Sequence, residues 1–238
     1  MSAGELLEQL PGTGRALFTT RAHGNLSSVG GEGAELGARA RESLRELIGV
    51  RRLARGYQVH GTVMRRVSAE PSSDIAARDP EATDPDVGDD VEADGQATAA
   101  TGVGTMVLSA DCLPVALGCE GAVAMVHAGW RGLAAGVLEE GVRAIRELAP
   151  GEGIVAIVGP CAGVCCYEVG PEVHAAFAGA HRHGEHVDLR AIAHERLLAA
   201  GAAEVRDVLA CTICDGRFFS HRREGERAGR QAGVAWLS

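Results

Sequence analysis

AMVHAGWRGLAAGV, residues 124–137, opens as an apolar run and closes as the first turn of a helix. The break falls at His127–Gly132, where glycines frame Trp130 and Arg131 in a chain with only two tryptophans. Continuing outward, LAAGVLEEGVRAIRELA (133–149) sets Leu138, Val142, Ile145 and Ala149 at helical spacing. Upstream, TMVLSADCLPVALG (105–118) and AVAMVHAG (122–129) are apolar β-runs divided by short turn segments. Strands feeding a helix through a glycine-rich turn predict an α/β protein.

The flanks extend the alternation. ALFTTRA (16–22) reads as a strand, and ELGARARESLRELIG (35–49) as a helix with Leu36, Ala40, Leu44 and Ile48 on one face. YQVHGTVMRRV (57–67) reads as a strand pair or one bent strand, and IVAIVG (154–159) as a buried strand. Helices are predicted over 171–180 and 188–200, with VRDVLA, FFSHRR and VAWL as the last strands. Residues 68–94 differ in character, being rich in Asp, Glu, Pro and Ser with Arg78 as their single basic residue. Such a stretch buries too little apolar surface to offset its ordering, so a mobile acidic loop is expected. It lacks the ligand spacing of a calcium loop. With no internal repeat, one domain over residues 1–238 is expected.

A net charge of −9 argues against a nucleic-acid backbone binder, while leaving room for a local anion pocket. The chain contains no lysine, which removes Schiff-base chemistry and a P-loop lysine. No run approaches the roughly 18 apolar residues of a membrane span. MSAGELLEQLPGTGR lacks the basic-then-apolar pattern of a secretion signal. A cytoplasmic location with mostly reduced cysteines is therefore expected, and seven is an awkward number for a disulfide framework.

Three metal-competent side chains fall at the ends of apolar strands: His60, Cys112 and His127. Two imidazoles and a thiolate suit Zn²⁺, and three protein ligands leave a fourth position open, as in catalytic sites. The same residues could instead form a thiol nucleophile and its base. Copper shares the ligand preference, but a His-Cys-His motif with a nearby axial Met is missing. A partner-binding protein with a closed structural zinc is the non-catalytic alternative.

QVHG (58–61), ADG…T (93–98), SADCLPVAL (109–117), VHAGWRGLAAGV (126–137), GP…CYEVG (159–170) and FFSHRR…GRQAGVAWL (218–237) occur in this order. Together they resemble the YfiH family of multicopper-polyphenol-oxidase-like proteins, also called the laccase-domain or DUF152 family. The resemblance implies a layered α/β/β/α sandwich with mixed sheets. It implies a zinc-dependent purine nucleoside phosphorylase with adenosine deaminase activity, acting on adenosine, inosine or methylthioadenosine. One zinc per chain would then sit on His60, Cys112 and His127, with purine nucleosides and phosphate as partners and no nucleic acid or membrane. Relatives that edit peptidoglycan, and the fold's kinship with thiol deamidases, imply the alternative of a Cys–His hydrolase acting on an amide or cell-wall precursor. A copper polyphenol oxidase ranks third. In TTRAHGNLSS, His23 stands where the family has glycine.

Within that resemblance, phosphate calls for arginine forks. Arg21, Arg131, Arg222 and Arg223 are the candidates, with Trp130 as a pocket wall. Asp111, beside Cys112, is a candidate to orient a water, to act as acid or base, or to hold a ligand histidine. Of the other cysteines, Cys211 and Cys214 form a CxxC, but Cys161, Cys165 and Cys166 form a CxxxCC that matches a zinc half-site poorly. Buried thiols are expected there, with a second, structural zinc site as the alternative.

Overall fold

Residues 6–27, 34–70, 87–151 and 153–238 are described in the structure, a computed structural model. Two six-stranded mixed sheets lie face to face. The first runs β1 (Leu6–Gln9), β2 (Gly14–Phe18), β14 (Gln231–Leu237), β7 (Val103–Ser109), β3 (Arg52–Tyr57) and β5 (Val87–Glu92). The second runs β13 (Glu204–Asp207), β10 (Val155–Val158), β8 (Leu113–Cys119), β9 (Ala122–Ala128), β6 (Gly95–Thr98) and β4 (Met64–Arg66). A small hairpin joins β11 (Arg182–His183) to β12 (His186–Val187).

The period-two alternation of the strands sorts side chains into layers. Ala16 and Phe18 of β2, Val107 of β7, Val123 and Met125 of β9, and Ala235 and Leu237 of β14 meet between the sheets. Leu17, Met106, Val234 and Trp236 face the other way, under α1 (Ala34–Ile48). Ala122, Ala124, Val126 and Ala128 of β9 pack under the helices on the opposite side. Those are α2 (Trp130–Ala135), α3 (Val137–Leu148), α4 (Pro171–Ala176) and α5 (Leu189–Ala199). The result is the α/β/β/α sandwich.

Helix α3 buries Leu138, Val142 and Ile145 as its spacing predicts. Helix α1 buries Leu44 fully, but Leu36, expected on the same face, is exposed near the helix start. FFSHRR is not a strand: α6 (His221–Glu224) begins there, capped by the Ser220 hydroxyl, which accepts from the Arg223 amide. The acidic loop expected over 68–94 falls largely on residues that are not described. Residues 71–86 lie outside the described residues, but from Val87 the chain is strand, pairing parallel to β3. Ala93 and Asp94 beyond it are fully buried. Among the described residues no helix is long and apolar enough to cross a membrane.

Candidate metal and anion site

His60, Cys112 and His127 come together from three segments. His127 is the penultimate residue of β9, Cys112 lies in the turn between β7 and β8, and His60 follows β3. One potential ligand atom from each lies within 4.8 Å of the others. Cys112 Sγ is 3.7 Å from His60 Nε2, and the two imidazoles meet edge to face at 4.9 Å between centroids.

Asp94 organises this cluster. Its buried carboxylate accepts the Nδ1–H of His127 at 2.8 Å, which holds that proton on Nδ1 and makes Nε2 the nitrogen a metal would take in place of its proton. It also accepts the backbone amides of Val59 (3.2 Å), His60 (2.9 Å) and Gly61 (2.6 Å). Those amides stabilise a turn in which His60 adopts a φ of 61°, a conformation unfavourable for a residue with a Cβ. One side chain thus positions both histidines.

Burial opposes charge on these groups, and their mutual attraction outweighs it. Burial alone would push the Cys112 thiol up, but the charge and hydrogen bond of His127, then of His60, draw it down to about 6. Burial likewise disfavours the His127 imidazolium, yet the Cys112 thiolate and Asp94 raise it to about 9. His127 and the surrounding amides hold Asp94 below the usual carboxylate range despite its burial.

The glycines of HAGWRG admit this packing. A Cβ on Gly129 would lie 2.5 Å from His60 Cδ2 and 3.2 Å from Cys112 Sγ. One on Gly132 would lie 2.7 Å from the Gly61 carbonyl oxygen, so α2 rests directly on the His60 turn.

The cluster lies at one side of a cleft of about 670 Å³. Arg55, Arg131, Arg230 and His221 also line it, with Tyr57 and Gln58, and no carboxylate is among its described lining residues. Gln58 is locked by paired hydrogen bonds of 2.8 Å to the Leu108 amide and carbonyl. A smaller adjoining pocket of about 100 Å³ is bounded by Asp111, Cys112, Trp130, Tyr167, His221 and Arg222.

The structure separates the arginines that the sequence groups together. Arg131 lines the main cleft, stacked on Trp130 at 4.3 Å. Arg222 reaches the smaller pocket, donating to the Glu168 carbonyl at 2.7 Å and stacking on Tyr167. Arg21 lies outside both linings, bonded to Glu224 and the Phe218 carbonyl and stacked on Phe219. Arg223 also lies outside them, donating to the carbonyls of Thr212, Ile213 and Phe218 and to Glu224. Both arginines brace α6.

Asp111 is committed in the same way. Its carboxylate accepts Thr212 Oγ1 at 2.6 Å, Ser220 Oγ at 3.1 Å and the Arg222 amide at 2.8 Å. Sequence reasoning overlooked Arg55, Arg230 and His221, and quoted Asp94 only within its motif. An arginine inside the strand RLARGY was the one available signal for Arg55, because a buried strand position selects against charge unless it is paired.

Residues 13–238 match the family profile described as multi-copper polyphenol oxidoreductase laccase. A Xylella fastidiosa protein named purine nucleoside phosphorylase is 40% identical over 95% of this chain and 88% of its own length. A Pseudomonas aeruginosa protein given the same activity in its name is 35% identical over 95% of each chain. Among solved structures, a Neisseria meningitidis protein of the DUF152 family superposes with a TM-score of 0.82 at 30% identity, over 99% of both chains. Bacillus licheniformis YfiH superposes with a TM-score of 0.83 at 23% identity, covering 100% of this chain and 97% of that one, a likeness of fold.

Proposed function

The chain belongs to the multi-copper polyphenol oxidoreductase laccase family, the YfiH or DUF152 group, and from that premise we propose a zinc-dependent purine nucleoside phosphorylase with adenosine deaminase activity. The observation that carries the reading is the His60–Cys112–His127 cluster opening onto an arginine-lined cleft, in a chain 40% identical to a protein named for that phosphorolysis.

The donor set fits zinc. Zn–S of about 2.3 Å and Zn–N of about 2.0 Å place tetrahedral donors about 3.5 Å apart. Cys112 Sγ and His60 Nε2 are 3.7 Å apart. His60, Cys112 and His127 would hold the ion, which would supply a Lewis acid at the cleft.

The chain's own residues do the rest. Asp94 keeps the His127 proton on Nδ1 and holds the His60 turn in place. Arg131, with Arg55 and Arg230, supplies the positive wall that a phosphate needs in a protein of net charge −9. In phosphorolysis a phosphate oxygen forms the bond to C1′ while the glycosidic bond breaks, and the purine leaves carrying a proton. The apolar and aromatic surface of Tyr57 and Leu108 beside the cluster offers the base a place to lie. Metal content and nucleoside turnover, with and without phosphate and chelator, test the reading.

The Cys112 and His127 charge pair favours a second reading, a Cys–His hydrolase. A thiol enzyme keeps its activity after chelation and loses it on alkylation of Cys112. The proposed metalloenzyme is disabled by chelation.

A further inference from the structure

On the far side of the Tyr167 wall, the fold gathers four cysteines that the nucleoside reading does not use. Cys165 and Cys166 lie in the loop after β10, and Cys211 and Cys214 in the loop after β13. All four Sγ atoms lie within 4.8 Å of one another. Cys166 Sγ is 2.8 Å and Cys165 Sγ 3.5 Å from Cys214 Sγ. We propose that these four cysteines hold one structural Zn²⁺ as tetrahedral thiolates, a second metal site distinct from the His60–Cys112–His127 cluster.

Three features carry this. A tetrahedron with Zn–S of about 2.3 Å has S···S edges of about 3.8 Å, inside the 4.8 Å that bounds all four sulfurs. A free cysteine that merely packs is among the most buried residues, as Cys119 and Cys161 are here. In contrast, Cys165 and Cys214 are exposed and Cys166 and Cys211 only half-buried, so packing does not account for their assembly. The surroundings also suit a thiolate: the Gly163 amide donates to Cys211 Sγ at 3.3 Å, and the Ile213 and Cys214 amides face the same sulfur. Cys161 is excluded from the set, since it lies buried and accepts from Arg190 Nη2 at 3.1 Å.

The CxxxCC spacing hides this site because vicinal Cys165 and Cys166 converge on one partner loop. Four protein ligands leave no open position, which marks a structural role. The two loops it joins reach the smaller pocket, one through Tyr167 in its lining and the other through the Thr212 bond to Asp111. Cys166 adjoins Tyr167, on which Arg222 stacks, and Thr212 between the two outer cysteines donates to Asp111. The ion would pin both loops behind the cleft.

The test uses the full chain carrying Cys112→Ala, which lacks the first cluster's thiolate, purified under reducing conditions. One zinc per chain should remain, and it should disappear when Cys211→Ser and Cys214→Ser are added. Should the triple variant fail to fold, cobalt substituted into the Cys112→Ala chain should show the intense thiolate-to-metal absorption of a four-sulfur site. A metal-free Cys112→Ala chain would overturn the proposal, as would a mass lowered by the two hydrogens of a disulfide. Iron in place of zinc would overturn the zinc assignment.

Discussion

At the scale of single residues, Asp94 has the widest reach. Its carboxylate accepts one imidazole N–H and three amides, so the Asp94→Asn change removes charge from the site without removing any candidate ligand. Losing such a supporting hydrogen bond typically lowers metal affinity about 10- to 100-fold. Competition with a chromophoric chelator should show that loss while far-ultraviolet dichroism stays unchanged. Unchanged affinity would mean that the Asp94 charge does nothing to hold the metal. Gly129→Ala acts on space instead: the new methyl meets His60 and Cys112, and overpacking of this kind costs about 1–3 kcal/mol. Metal content should fall and the unfolding midpoint drop in the same protein. The three ligand candidates are legible in the sequence because each is a lone polar, metal-competent residue ending an apolar run. Asp94 is not, since it closes an acidic tract and only the fold reveals that it turns inward.

At the scale of elements, Asp111 holds the start of α6 through the Ser220 hydroxyl and the Arg222 amide, and ties to it the loop after β13 through Thr212. Removing a partner that leaves buried donors unsatisfied costs about 1–3 kcal/mol. Asp111→Ala should therefore lower stability by at least that amount, measured by urea unfolding, and loosen the segment that carries His221 and Arg222. A variant as stable as wild type, with activity abolished, would instead return Asp111 to acid–base chemistry. Element identity was legible where burial dominates, as in β7 to β9 and α3, because unbroken apolar runs and helical spacing are strong patterns. It failed at β5 and α6. Strand β5 sits at the sheet edge, where charged residues are tolerated and even useful against edge pairing, so its acidity imitates a loop. Helix α6 is four residues long, and its Ser220 cap was a weaker signal than the aromatic pair preceding it.

For the whole molecule, the contrast between a net charge of −9 and a cleft lined by arginines and histidines is the functional signature. Arg131→Ala should raise the KM for phosphate about 10- to 150-fold, the equivalent of about 1.5–3 kcal/mol for a charge-assisted hydrogen bond. Deamination, which uses no phosphate, should change far less. Equal loss of both activities would place Arg131 at the nucleoside. The layered fold was legible from the motifs as a set, but the partition of arginines between cleft and scaffold was not. Arg21 and Arg223 resemble Arg131 in sequence and differ only in which carbonyls and carboxylates the folded chain brings to them. The most direct test follows phosphate-dependent release of the base from adenosine and inosine before chelation, after chelation and after zinc is restored. The account predicts turnover that is lost on chelation and recovered with zinc. Turnover that survives chelation but disappears when Cys112 is alkylated would contradict it.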